Sequence, residues 1–242
     1  MNRNIVFYLF GLLALGLIAC SVPQIMVDEN LQADTALYNV KGRQGWLVNQ
    51  HLSFGDYRTG KVDRSWTKGY DIPFIIRFSG AKEKLSFTLQ DAVGDKADVF
   101  CLGKLREQDL LIFHKYFDIN IKAKDAFTGS VAIGERNSFD FYVTNLNQNN
   151  WFREAEGWIK GEDLTISIQP IKHLEGGKRM LDMQAPGFSF VRDGKTLGAV
   201  EVLNQGRIWI KNDLPGEEKL LLAGVASALL LRSELGAHNE HI

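Results

Sequence analysis

The chain has 242 residues, 28 Lys and Arg against 29 Asp and Glu, and a net charge of −1 at pH 7. That balance lacks the basic footprint that nucleic-acid binding requires, so no nucleic-acid partner is expected. With 45% hydrophobic and 11% aromatic residues the chain is rich enough in apolar groups to exclude a disordered polymer.

The chain opens MNRNIVFYLFGLLALGLIACS, a short positive segment at Arg3 followed by an uncharged apolar run from Ile5 to Ala19. As a helix this run is about 22 Å long, short of the ~30 Å hydrocarbon core, so it suits a secretory signal better than a permanent span. The run ends in Leu17-Ile18-Ala19-Cys20, which resembles the lipobox of bacterial lipoproteins. That resemblance covers residues 1–21 only. It implies cleavage of a signal peptide over residues 1–19 and attachment of lipid, a diacylglycerol thioether with further acylation such as palmitate, at Cys20. An envelope location follows, with Ser21 after the cysteine implying the periplasmic side of the outer membrane. The alternatives are an ordinary signal peptide or an uncleaved anchor helix.

If Cys20 is acylated, Cys101 is the remaining cysteine, and no internal disulfide is available. In DVFCLGKL, Cys101 lies between Phe100 and Leu102 and reads as a small buried hydrophobe. Residues 20–40 show no sustained period, carry Pro23 and several acids, and read as a tether. Five prolines, well spread, mark no boundary within residues 41–236, which are expected to form one β-rich domain; residues 237–242 read as a tail.

From Gly45 onward, short β-branched and aromatic segments recur between turn signals. In KLSFTL, Leu85, Phe87 and Leu89 share one face; in DLTISIQPI, Leu164, Ile166, Ile168 and Pro170 alternate with polar residues. Asp193-Gly194 and Asn204-Gln205-Gly206 are hairpin signals, because these residues tolerate positive φ. Other segments expected to be extended include DIPFIIRFSG (71–80) and DLLIFHKYFDINIKA (109–123). Roughly 10–12 strands result, antiparallel because the connections are too short for crossover helices.

A helix is expected over residues 214–235, with Asn212 or Asp213 at its start, Pro215, Glu217 and Glu218 in its first turn and Gly236 after its end. Leu220 to Leu231 contains no charge and one hydroxyl, Ser227, so the helix is apolar on every side. Twelve residues span about 18 Å, too short to cross a membrane. A helix apolar all round must be buried all round, and an antiparallel barrel closed about it answers that need while removing exposed edges. Gly224 and Ala228 would let the wall approach closely on one side. The alternative is a β-sandwich or open sheet with one packed helix. The strand run from about residue 45, and Phe188 to Leu235 above all, resembles the tubby-like and phospholipid-scramblase-like fold by pattern alone, so no functional residue is carried over.

Catalytic and metal-binding motifs are missing from the sequence: there is no HExxH, CxxC with histidine, GxSxG or phosphate loop. His51, His114 and His173 stand apart, and His238 and His241 belong to the polar tail. No catalytic residue, metal or cofactor is expected. The stretch from Phe54 to Asp71 mixes basic and aromatic groups, and Tyr57, Arg58, Arg64 and Trp66 form its candidate recognition surface. The bland reading is a solvated hairpin with aromatics packed at a rim; Trp151, Phe152, Arg153 and Trp158 could form a second rim. The expectation is a lipid-anchored envelope protein with a non-catalytic domain binding a ligand, lipid or envelope protein. The alternatives are an envelope hydrolase using a carboxylate site and a structural component of an envelope assembly.

Overall fold

The structure, a computed structural model, describes residues 24–43, 49–64, 83–103, 126–134, 137–144, 156–177 and 185–237. In chain order it contains α1 (Glu29–Ala33), β1 (Thr35–Asn39), β2 (Ser53–Phe54), β3 (Tyr57–Thr59) and β4 (Glu83–Gln90). β5 (Lys96–Gly103), β6 (Ala126–Ile133), β7 (Asn137–Thr144), β8 (Glu156–Lys160) and β9 (Thr165–Ile171) follow. A 3-10 turn (Glu175–Gly177) then precedes β10 (Gly187–Arg192), β11 (Lys195–Glu201), β12 (Arg207–Lys211) and the long helix α2 (Gly216–Ala237).

The turns form where residue chemistry allows them. Asp193 and Gly194 have φ of 51° and 73°, and they join β10 to β11 with Arg192 opposite Lys195. Asn204 and Gly206, at φ of 51° and 88°, turn β11 into β12. Between β4 and β5, Asp91 Oδ1 accepts hydrogen bonds from the N–H groups of Val93, Gly94 and Asp95.

All the pairings are antiparallel, in the order β1-β12-β11-β10-β9-β8-β7-β6-β5-β4-β3-β2. The sheet is therefore an up-and-down meander whose two outer strands are β1 and β2. These meet where the Lys41 N–H donates to Ser53 O (2.9 Å) and the Ser53 N–H donates to Lys41 O (3.1 Å). Tyr38, Phe54 and Tyr57 pack together beside this seam, the last two stacked at 5.3 Å. Gly55 fits there because its φ is 51° and a Cβ would fall 2.3 Å from the Tyr38 ring.

The sheet curls into a nearly closed barrel and α2 fills its bore. Inward-facing Leu85, Phe87, Leu89, Val99, Phe127, Phe141, Ile159, Ile166, Phe190 and Ile208 belong to one core with Leu220 to Leu231. Each named side chain from Leu220 to Leu231 is at most 3% exposed. The fold is thus the barrel around a hydrophobic helix, not the sandwich or open sheet. The lone hydroxyl is satisfied locally, since Ser227 Oγ donates to Ala223 O at 2.8 Å. Gly224 lets the wall approach closely: a Cβ there would lie 3.3 Å from Val99 and 3.4 Å from Val131. Among the described residues no helix is long and apolar enough to cross a membrane.

The barrel has two unlike ends. Short turns close one, where α2 begins; Arg192 there pairs with Glu218 (2.9 Å) and Asn137 donates to Glu217 (2.6 Å). The carboxylates suit the positive end of the helix dipole. Every connection longer than five residues leaves from the opposite, loop end, where a Cβ on Gly206 would meet Leu230.

Three expectations need correction. Residues 24–40 are not a tether. Ile25, Val27 and Leu31 bury against Leu174, Ala199 and Trp209 on the outer wall, and β1 is a stave paired with β12. Glu156–Lys160 is the stave β8, with Gly157 and Ile159 turned inward and Trp158 outward, not part of a rim loop. The helix runs from Gly216 to Ala237 rather than over 214–235: the Pro215 carbonyl accepts the bond from the Lys219 N–H, so Pro215 precedes the first turn, and Gly236 lies within the helix rather than after its end. Residues 1–19, Cys20, 71–80, 109–123 and 238–242 lie outside the described residues.

Candidate functional site

The most developed polar site lies on the outer wall at the loop end. The β11–β12 hairpin places Glu201 directly opposite Arg207, and alternation puts both on the face away from the bore, beside Ala199 and Trp209. Arg207 Nη2 donates to Glu201 Oε2 at 2.7 Å and Nε to Oε1 at 3.3 Å, a two-pronged pair in which the Glu201 carboxylate is almost wholly buried. The guanidinium also lies 5.2 Å from the centre of the Trp209 ring.

This pair holds the start of the described chain. The Ile25 N–H donates to Glu201 Oε2 at 2.9 Å, and Arg207 Nη1 donates to Gln24 Oε1. The Met26 N–H donates to His173 O (2.8 Å), and the Glu175 N–H to Gln24 O (2.8 Å). Ile25, Val27 and Leu31 then fill the apolar patch formed by Leu174, Ala199 and Trp209. Residues 24–31 thus form a strap, fastened at its first residues by charge-assisted hydrogen bonds and along its length by burial.

A second polar chain stands at the same end. Arg43, nearly buried, donates through Nη1 to Asn204 O at 2.9 Å. Gln50 donates through Nε2 to Arg43 O (2.8 Å) and accepts at Oε1 from Arg64 Nη2 (2.6 Å). Arg232 lies over Phe127, 5.4 Å from its ring centre. These arginines gather where the helix presents its negative end.

Three of the four candidate recognition residues, Tyr57, Arg58 and Arg64, are described. Tyr57 is buried in the seam, where burial, with Tyr38, Asp91 and Asp56 nearby, pushes its phenol up to about 12. It is a packing residue because β3 alternates and Tyr57 and Thr59 face inward; Arg58 between them is exposed. Arg64 is half-buried and turned to Gln50. Trp66, Trp151, Phe152 and Arg153 lie outside the described residues, as do His114, His238 and His241. His51 Nδ1 is 3.2 Å from Thr59 O, and exposed His173 contributes its main chain to the strap. Cys101 is fully buried on the inner face of β5, and burial pushes its thiol well up.

Carboxylates were the reserve for a hydrolase. Glu201 uses both oxygens in the clamp. Asp140, on β7, is held above the usual carboxylate range by burial, opposed by a hydrogen bond with Ser130. Among the described residues no three His, Cys, Asp or Glu side chains gather as metal ligands.

Sequence reading missed the Glu201–Arg207 clamp, although a signal for it existed. Once Asn204-Gln205-Gly206 is taken as a turn, antiparallel pairing brings residues 201 and 207 face to face. No protein-family model, curated protein or solved structure matches the chain.

Proposed function

We propose that this chain is a lipid-anchored protein of a bacterial cell envelope, held through acylated Cys20 on the periplasmic side of the outer membrane. Its barrel serves as a non-catalytic platform for a ligand, lipid or partner protein. The observation that carries the reading is the run from Ile5 to Ala19 ending in Leu17-Ile18-Ala19-Cys20. The fold supports the platform part. With the bore occupied by the buried side chains of Leu220 to Leu231, the outer wall and the ends of the barrel are the surfaces offered for recognition. The meander about a C-terminal helix is the arrangement that the pattern resemblance to the tubby-like architecture implies.

Intact-mass measurement of the protein extracted from membranes tests the anchor. Cleavage before Cys20 with added acyl mass is expected, and Cys20→Ser is expected to leave the membrane fraction. A Cys20→Ser protein that stays with membranes after high-salt washing overturns the reading.

A further inference from the structure

We infer that the strap sets the orientation of the barrel on the membrane, with the loop end facing the lipid surface and the turn end facing away. The inference rests on the lipid-anchor reading. Gln24 is the first fastened residue among those described, tied to Arg207 through its side chain and to Glu175 through its carbonyl, and Ile25 is tied to Glu201. Only Ser21, Val22 and Pro23 separate it from Cys20. Four residue steps reach at most about 14 Å even when fully extended. A staves-length of seven or eight residues, tilted as barrel strands are, spans roughly 20 Å along the axis. The lipid is therefore closer to the loop end than the barrel is tall.

Charge points the same way. Among the described residues near the loop end, Lys41, Arg43, Lys84, Lys172, Arg207 and Arg232 outnumber Glu83, Glu156, Glu175 and Glu201. Carboxylates outnumber cations at the turn end, which carries Asp91, Asp193, Asp213, Glu217 and Glu218. An anionic surface attracts the first end and repels the second. The occupant of the loop-end rim is thus a bilayer surface.

The test uses the full acylated protein in vesicles of phosphatidylcholine and phosphatidylglycerol that carry a headgroup energy acceptor. Donor dyes go on Glu175→Cys at the loop end and, separately, on Val93→Cys and Asp213→Cys at the turn end; all three positions are exposed. Buried Cys101 stays unlabelled, as the parent protein verifies. Near-UV circular dichroism confirms folding of each variant, and intact mass confirms acylation in the same sample. Transfer from position 175 is expected to exceed transfer from 93 and 213 severalfold. Fifteen Gly/Ser residues inserted between Ser21 and Val22, in 0.5 M salt, are expected to bring that ratio near one. Equal or reversed transfer in acylated protein overturns the orientation and leaves the anchor standing. A ratio that survives the insertion overturns the strap as its cause. Absence of acyl mass overturns the anchor, and the orientation falls with it.

Discussion

Replacing leucines on α2 one at a time probes whether the helix is enclosed on every side. Leu220, Leu221, Leu222 and Leu230 point in four directions around the helix, at about 0°, 100°, 200° and 280° for a 100° step per residue. All four are at most 1% exposed. Each Leu→Ala change removes buried methylene groups and leaves a cavity, at a cost of about 2–5 kcal/mol in a packed site. For a domain of this length each kcal/mol lowers Tm by about 2–4 °C, so losses of roughly 4–20 °C are expected from each variant. An exposed leucine changed in the same way costs within about 0.5 kcal/mol. A helix lying on a sheet would therefore divide the four variants into severe and silent. Urea titration followed by near-UV circular dichroism gives the four free energies. Two or more below about 1 kcal/mol would falsify the enclosed-helix account.

The clamp, the seam and the tyrosines give further expectations. Glu201→Ala leaves Arg207 and the Ile25 N–H without their shared acceptor and is expected to cost about 3–5 kcal/mol; limited proteolysis should then cut within residues 24–33, and unchanged cleavage would show that burial alone holds the strap. Gly55→Ala combines an unfavourable φ with a Cβ 2.3 Å from Tyr38, whereas Gly134→Ala, at φ 64° and with nothing within 4 Å, bears the backbone strain alone. The first is expected to cost at least about 1 kcal/mol more than the second in urea unfolding, and equal costs would remove the tight fit from the account of the seam. Tyr57 has a folded pKa of about 12, above its ordinary value of 10.0. Its neutral form is favoured by folding, so its stabilising contribution is complete below pH 10 and is lost as pH rises through 12. Absorbance at 295 nm should show Tyr57→Phe removing a late-titrating phenol, and removal of an ordinary one instead would contradict its burial.

Those parts of the fold governed by neighbours in sequence were legible. Asp193-Gly194 announces its turn because few other residues accept positive φ twice in succession, and the β10–β11 hairpin follows. The uncharged run from Leu220 to Leu231 announces enclosure because no face is left for water. The strap and β1 were hidden because their partners are remote. Ile25, Val27 and Leu31 have no helical or strand period, and what they bury against comes from Leu174, Ala199 and Trp209. Thr35–Asn39 carries two polar ends and an outward Leu37, so its strand character comes from pairing with β12. For Tyr57 and Arg58 the reason is simpler. Composition marked Tyr57 and Arg58 together, but successive residues on a strand face opposite ways.

The closing arrangement of the barrel also constrains when it can fold. Thr35 pairs with Lys211 and Asn39 with Arg207, and the helix that fills the bore begins only at Gly216. As the chain lengthens from its N-terminus, hairpins from β4 to β11 can form early, because each joins neighbours in sequence. The first stave must wait for the last, and the inward faces of all twelve stay without their central partner until the final stretch is available. A chain halted before residue 216 would be an open, sticky sheet with apolar groups on its concave side. Gly216–Ala237 therefore acts as a completion signal: until it arrives, the polypeptide depends on whatever keeps unfinished chains apart.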